Sequence, residues 1–91
     1  MYHRRYTKRF QKSFNKIVRS GKIKVSEVEL VVDILAQGEN LPSKYQDHPL
    51  HGFYEGFREC HIKFDLLLVY KIKGQELILV LFDIGSHSEL F

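Results

Sequence analysis

The sequence predicts an α+β fold in which a helical hairpin packs on one face of a small antiparallel sheet. Three observations carry this expectation. Apolar residues recur at helical spacing in two stretches within the first 40 residues. Residues 57–64 alternate in polarity with a period of two. Two apolar runs, 66–72 and 77–84, then follow across a short polar join. At 91 residues the chain suits one small domain, taken as 1–91, with one compact core. Hydrophobic content of 44% and charged content of 27% are those of a globular protein and exclude a disordered one.

Residues 2–6 read as a short edge strand. Thr7 is placed to cap the first helix. Phe10, Phe14, Ile17 and Val18 form its apolar stripe, while Lys8, Arg9, Lys12, Lys16 and Arg19 cover the remaining surface. Ser20-Gly21 ends it, because glycine tolerates left-handed geometry. Ser26 and Glu29 have capping-box spacing for a second helix, and Val25 with Leu30 is placed for a hydrophobic staple. Val28, Val31, Val32 and Leu35 make the buried face, Ile34 lies beside it, and Gly38 stops the helix. A join of about four residues predicts an antiparallel hairpin.

Residues 39–53 read as a long irregular connection with Pro42, Pro49 and Gly52, and it carries His48 and His51. Long loops in small domains are often functional. In 57–64, Cys60, Ile62 and Phe64 are expected to face the helices, and Glu59, His61 and Lys63 the open side. The two apolar runs predict central strands covered on both faces, joined by a tight hairpin at Lys73-Gly74-Gln75. Ser86 is placed to cap a last short helical turn ending at Phe91. The expected order is a short strand, a helical hairpin and a three-strand meander, with helices on one sheet face only.

The net charge of +3 hides an asymmetry. Residues 1–24 hold nine Lys/Arg and no acid, whereas residues 25–91 hold five Lys/Arg and all 11 acids. Such a split suggests a basic surface that meets a polyanion. A solvated helix face or an acidic protein partner fits it too. Cys60 is the single cysteine, so an intramolecular disulfide and paired-cysteine zinc sites are excluded, though a histidine metal site is not. No segment has the length and apolarity of a membrane span. The basic first residues lack the apolar centre of a secretory signal, and their weak likeness to a transit peptide is outweighed by the core stripe of the helix. The expected location is the cytoplasm, with no membrane partner.

Four groups suited to proton transfer lie near predicted strand ends: His48, His61, Asp65 and His87. Histidine changes charge near neutral pH. Together with the basic region they suggest cleavage of RNA without a metal. In that reaction the 2′-hydroxyl is deprotonated and attacks the adjacent phosphate, the departing 5′-oxygen is protonated, and cationic donors stabilise the phosphorus centre. The three histidines can move the protons, and Asp65 can act as a base or orient a histidine. Arg58, Lys63 and Lys44 are candidate phosphate contacts, and Phe91 can stack on a base. Each also has a plainer reading: His48 orders its loop, His61 is an exposed strand residue, His87 sits in a cap, Asp65 is a turn residue, and Phe91 closes the core. Cys60 reads as packing, and His3 and His51 as surface. No phosphate-binding glycine loop, dinucleotide fingerprint or zinc-protease motif occurs, and no cofactor is expected.

The ordered blocks Leu41-Pro42, Tyr45-Gln46-Asp47-His48-Pro49-Leu50-His51-Gly52, Gly56-Phe57-Arg58-Glu59-Cys60-His61, Asp65-Leu66-Leu67-Leu68-Val69-Tyr70-Lys71 and Gly85-Ser86-His87-Ser88-Glu89-Leu90-Phe91 carry a family likeness. Over nearly its whole length the chain resembles a YafQ-type toxin, a branch of the RelE/ParE superfamily of bacterial toxin–antitoxin systems. The resemblance implies the RelE/ParE-like fold and a ribosome-dependent endoribonuclease, an mRNA interferase that cuts mRNA in the decoding site and halts translation. Contacts with mRNA and rRNA in the ribosomal A site follow, as does a small cognate antitoxin that silences the toxin. By the same resemblance His48, His61, Asp65 and His87 match proposed catalytic positions, and Phe91 matches a terminal aromatic implicated in activity. Glu59, grouped with the substrate contacts, falls where a relative has Asp, and Leu66 stands where Trp is frequent. Two other readings compete: a non-enzymatic inhibitor of DNA gyrase like the ParE branch, and a metal- or nucleic-acid-binding module without catalysis. The histidine set favours the nuclease, since a pure protein binder does not need it.

Overall fold

The computed structural model describes residues 1–91. β1 (His3–Tyr6) leads into α1 (Lys8–Arg19) and α2 (Val25–Ala36). A connection holding β2 (His48–Pro49) then reaches β3 (Arg58–Lys63), β4 (Leu66–Lys73), β5 (Ile78–Gly85) and the terminal turn α3 (His87–Leu90). The sheet has five strands in the order β1-β5-β4-β3-β2. β3, β4 and β5 form the expected antiparallel meander, and β1 pairs with β5 in parallel. Parallel neighbours require a long crossover, which the two helices and the rest of the sheet supply.

Phe10 and Ile17 of α1 and Val28, Val31 and Leu35 of α2 pack on Cys60, Leu68, Tyr70, Leu79 and Leu81 of the sheet. On the other face, Leu67 and Val69 of β4 are closed over by Leu90 of α3, flanked by Leu50, Phe57 and Phe82. β4 is therefore covered on both sides, which explains its nearly unbroken apolar run. Thr7 caps α1 as expected: its Oγ1 accepts from the Phe10 N–H at 3.0 Å and donates to the Phe82 carbonyl at 2.6 Å.

Five local expectations are corrected. α2 starts at Val25, with Lys24 rather than Ser26 as the cap residue, because Glu27 Oε1 accepts from the Lys24 N–H at 3.1 Å. Val25 and Leu30 are both exposed, so no staple forms. The connection after α2 is less irregular than expected, with 3-10 turns at Ser43–Tyr45 and Gly52–Tyr54 and a two-residue strand at His48–Pro49. Finally, the register of β3 on β4 shifts between His61 and Lys63. A bulge reverses the alternation beyond it. Lys63 consequently reaches Glu27 of α2 at 3.1 Å, and Phe64 stands fully in solvent instead of entering the core. The β4–β5 join is also longer than a tight hairpin, a 3-10 turn over Gly74–Glu76 closed by Leu77 at φ 56°.

Candidate active site

The end of β5 and the β3–β4 turn meet to build one side of the site. A Cβ on Gly85 would lie 3.2 Å from Glu89 Oε1, so α3 folds back closely against the strand end. Ser86 Oγ accepts from the Glu89 N–H at 3.3 Å, and Glu89 Oε1 accepts from the Ser86 N–H at 2.8 Å. This reciprocal cap fixes the first turn of α3. The Ser86 backbone bond, followed by the Ser86 side chain, holds the Glu89 carboxyl below its ordinary range. Asp65 sits in the two-residue turn at φ 53°, and its Oδ1 accepts from the His87 N–H at 3.1 Å. The turn and α3 are thus tied together, with His87 at the knot.

His61, Asp65 and His87 line one open cleft of about 720 Å³, together with Lys44, Gln46 and Lys63. Phe91 stands at the rim, half exposed, its ring 5.4 Å from His87 and 5.2 Å edge-on from Tyr54. It does not close the core. Lys44 leans over the Tyr45 ring at 5.1 Å, and Lys63 shares its charge with Glu27. His3 and His51 are exposed and lie outside the cleft lining.

His48 is held differently. It pairs with Glu59 across β2 and β3, and its ring lies 6.3 Å from that of His61. Nδ1 is 2.7 Å from the Gln46 carbonyl oxygen, and Nε2 is 3.0 Å from Glu59 Oε1. The His48 side chain is 47% exposed, so its ring remains open to solvent beside this pair. Glu59 is 6% exposed, and its Oε2 is the one buried side-chain polar atom of the chain without a hydrogen-bond partner. The alternation of β3 placed Glu59 on the side of His61, but at this point the side chain is buried beside His48 of the neighbouring strand rather than open.

Arg58 points to the helix side, away from the histidines. It donates to Asp47 through Nη2 at 3.0 Å and Nε at 3.4 Å, and the Tyr70 hydroxyl donates to the same carboxylate. The Asp47 carboxylate raises the Arg58 pKa, and burial, then Asp47, pushes the Tyr70 phenol up, so both remain donors. The residue before His48 is thereby pinned to β3 and β4. Sequence reasoning missed this anchor and the Gln46 carbonyl; the adjacency of Asp47 to His48 was the available signal. No group of three or more His, Cys, Asp or Glu side chains is disposed to hold a metal ion.

The arrangement can move protons at His61 and His87 beside a carboxylate, with lysines near enough to attract a phosphate. Comparison with known proteins identifies the family. The sequence pattern of the family described as "Bacterial toxin of type II toxin-antitoxin system, YafQ" matches residues 2–91. The mRNA interferase toxin YafQ of Escherichia coli (strain K12) is 40% identical over 52 residues, which are 56% of this chain and 53% of that protein. The chain thus spans about half the length of the curated relatives it matches. A metal-bound toxin from Helicobacter pylori has a similar structure, with a TM-score of 0.94, 47% identity and full coverage of both chains. The toxin in the E. coli DinJ-YafQ complex superposes with a TM-score of 0.86 at 26% identity, over 100% of this chain and 99% of that one.

Proposed function

The chain belongs to the YafQ family of bacterial type II toxin–antitoxin toxins, and from that premise we propose that it is an mRNA interferase acting as a single domain. It cuts mRNA in the ribosomal A site and stops translation. The observation that carries this reading is the cleft shared by His61, Asp65 and His87, with Lys44 and Lys63 on its walls. One of the two free histidines takes the proton of the 2′-hydroxyl, and the other gives one to the departing 5′-oxygen. Asp65 fixes the start of α3 and so the position of His87. His48, held through Nδ1 at the Gln46 carbonyl with Nε2 3.0 Å from Glu59, is a third group for proton transfer at the edge of the site. Lys44 and Lys63 stabilise the crowded phosphate, and Phe91 stacks on a base. A cognate antitoxin binds and silences the toxin, as the DinJ-YafQ complex suggests for a relative. The site of action is the cytoplasm.

Induction of the wild type and of His87→Ala in bacteria, with mRNA 5′ ends mapped by primer extension, tests this. Growth arrest with new cuts inside translated codons, lost in the variant, is the expected result. Arrest without cuts would move the target to a protein such as gyrase. Purified His61→Ala and His87→Ala are each expected to cleave at least about tenfold more slowly.

A further inference from the structure

Beside the histidine cleft lies a second cleft of about 380 Å³, and Lys63, Phe64 and Asp65 line both. The β3–β4 turn is therefore a ridge between them. Phe64 tops this ridge and is the most exposed large apolar side chain of the protein, at 101%. It gains nothing from burial on folding. The far side of the ridge is lined by Lys16 of α1 and by Lys22, whose backbone N–H reaches Ser20 Oγ at 3.4 Å. Neither lysine makes an ion pair. The two carboxylates in this second cleft have backbone partners, Asp65 the His87 N–H and Glu89 the Ser86 N–H, and Lys16 and Lys22 act on Glu89 only through space, without an ion pair. An exposed flat ring beside two lysines that make no ion pair, one step from the histidine cleft, matches the two halves of a nucleotide. The ring suits a base and the lysines a phosphate.

We propose that Phe64 is a stacking wedge for the nucleotide next to the cut bond, and that Lys16 and Lys22 hold the phosphate that follows it on the same mRNA strand. The strand runs from the histidine cleft over the ridge into the lysine cleft. This assignment rests on the nuclease reading above and adds a subsite to it.

The test is single-turnover mRNA cleavage on programmed ribosomes, read as the toxin concentration giving half the maximal rate. Phe64→Ala should raise that concentration at least about fivefold, and Phe64→Trp should restore it. The thermal midpoint should not move, since the ring touches no core. With Lys16→Gln and Lys22→Gln combined, the slope of log affinity against log salt should flatten by about 0.7 per lysine. Messages carrying an abasic nucleotide on one side of the cut or the other give the decisive arm. At the stacked position Phe64→Ala should cost nothing further, and at the other its full effect should remain. A Phe64→Ala effect that persists on both abasic messages would assign the ridge to rRNA and overturn the proposal. So would wild-type cleavage by the variants, or a loss confined to antitoxin binding. A folded wild type that cuts no message would remove the nuclease reading itself, and this subsite with it.

Discussion

His48 and Glu59 form a pair in which one polar side chain depends on the other. The Glu59 side chain is 8% exposed and that of His48 47%, so the carboxylate depends on its partner far more than the reverse. Removing the partner of a buried charge leaves it uncompensated. His48→Ala should therefore lower unfolding stability by about 2–3 kcal/mol, and adding Glu59→Gln should recover much of the loss. Urea titration of the single and double variants checks this. Equal stability of His48→Ala and wild type would mean that the pair does not hold β2 on β3. Cys60 gives a second residue-scale prediction. Burial, reinforced by the Asp47 and Glu59 charges, pushes its thiol up from 9.0 to about 12. The folded protein keeps that proton where the unfolded chain loses it, so stability falls as pH rises from 9.0 toward about 12. At neutral pH the buried thiol is not a nucleophile. Alkylation should proceed only as fast as the protein unfolds, and fast labelling under native conditions would contradict the burial.

At the scale of an element, α3 carries the most chemistry on the fewest residues. Its four residues cannot hold a helix by propensity, since helix nucleation is unfavourable. The Ser86–Glu89 cap, Leu90 in the second core and the Asp65 bond to the His87 N–H hold it in place. Ser86→Ala should cost about 1 kcal/mol and, by freeing His87, should reduce cleavage more than stability. The Glu89 pKa is depressed, so its contribution is complete above the ordinary carboxylate value and is lost as pH falls through the lower folded value. Amide exchange at Glu89 and Leu90 should accelerate in that acid range before the sheet amides do, and simultaneous loss would show that the cap is not an independent unit. This cap was legible in the sequence because both partners lie within four residues. The same pattern at Ser26 and Glu29 misled, because Glu27 competes for the start of α2 and is also engaged by Lys63 from a distant strand. Phe64 was misplaced for a related reason. A bulge at 61–63 arises from pairing with β4, and alternation read along one strand cannot register it.

Across the whole molecule, local period made the two helices and the three strands of the meander legible; of the four proton-transfer candidates His48, His61, Asp65 and His87, the fold brings the last three into one cleft. The parallel pairing of β1 with β5 joins residues some 75 positions apart, His3 with Ile78, and leaves no local mark. Charge distribution, by contrast, was visible from composition, and the fold shows how much of it is free. Of the nine cations in residues 1–24, Arg4 pairs with Asp33 and Arg9 with Asp83, while the other seven make no ion pair. Solvent-exposed lysines such as Lys8 and Lys12 thus contribute little to folding and remain available to a polyanion. Ribosome association should weaken steeply with salt, because each phosphate contact releases counterions. Lys8→Gln with Lys12→Gln should flatten that slope without shifting the urea midpoint, whereas Arg9→Gln should shift the midpoint as well, since it leaves the buried Asp83 carboxylate without its partner at 2.7 Å. An unchanged salt slope in the lysine pair, with binding intact, would reduce this face of α1 to a solvated surface and leave recognition to the clefts around the β3–β4 turn.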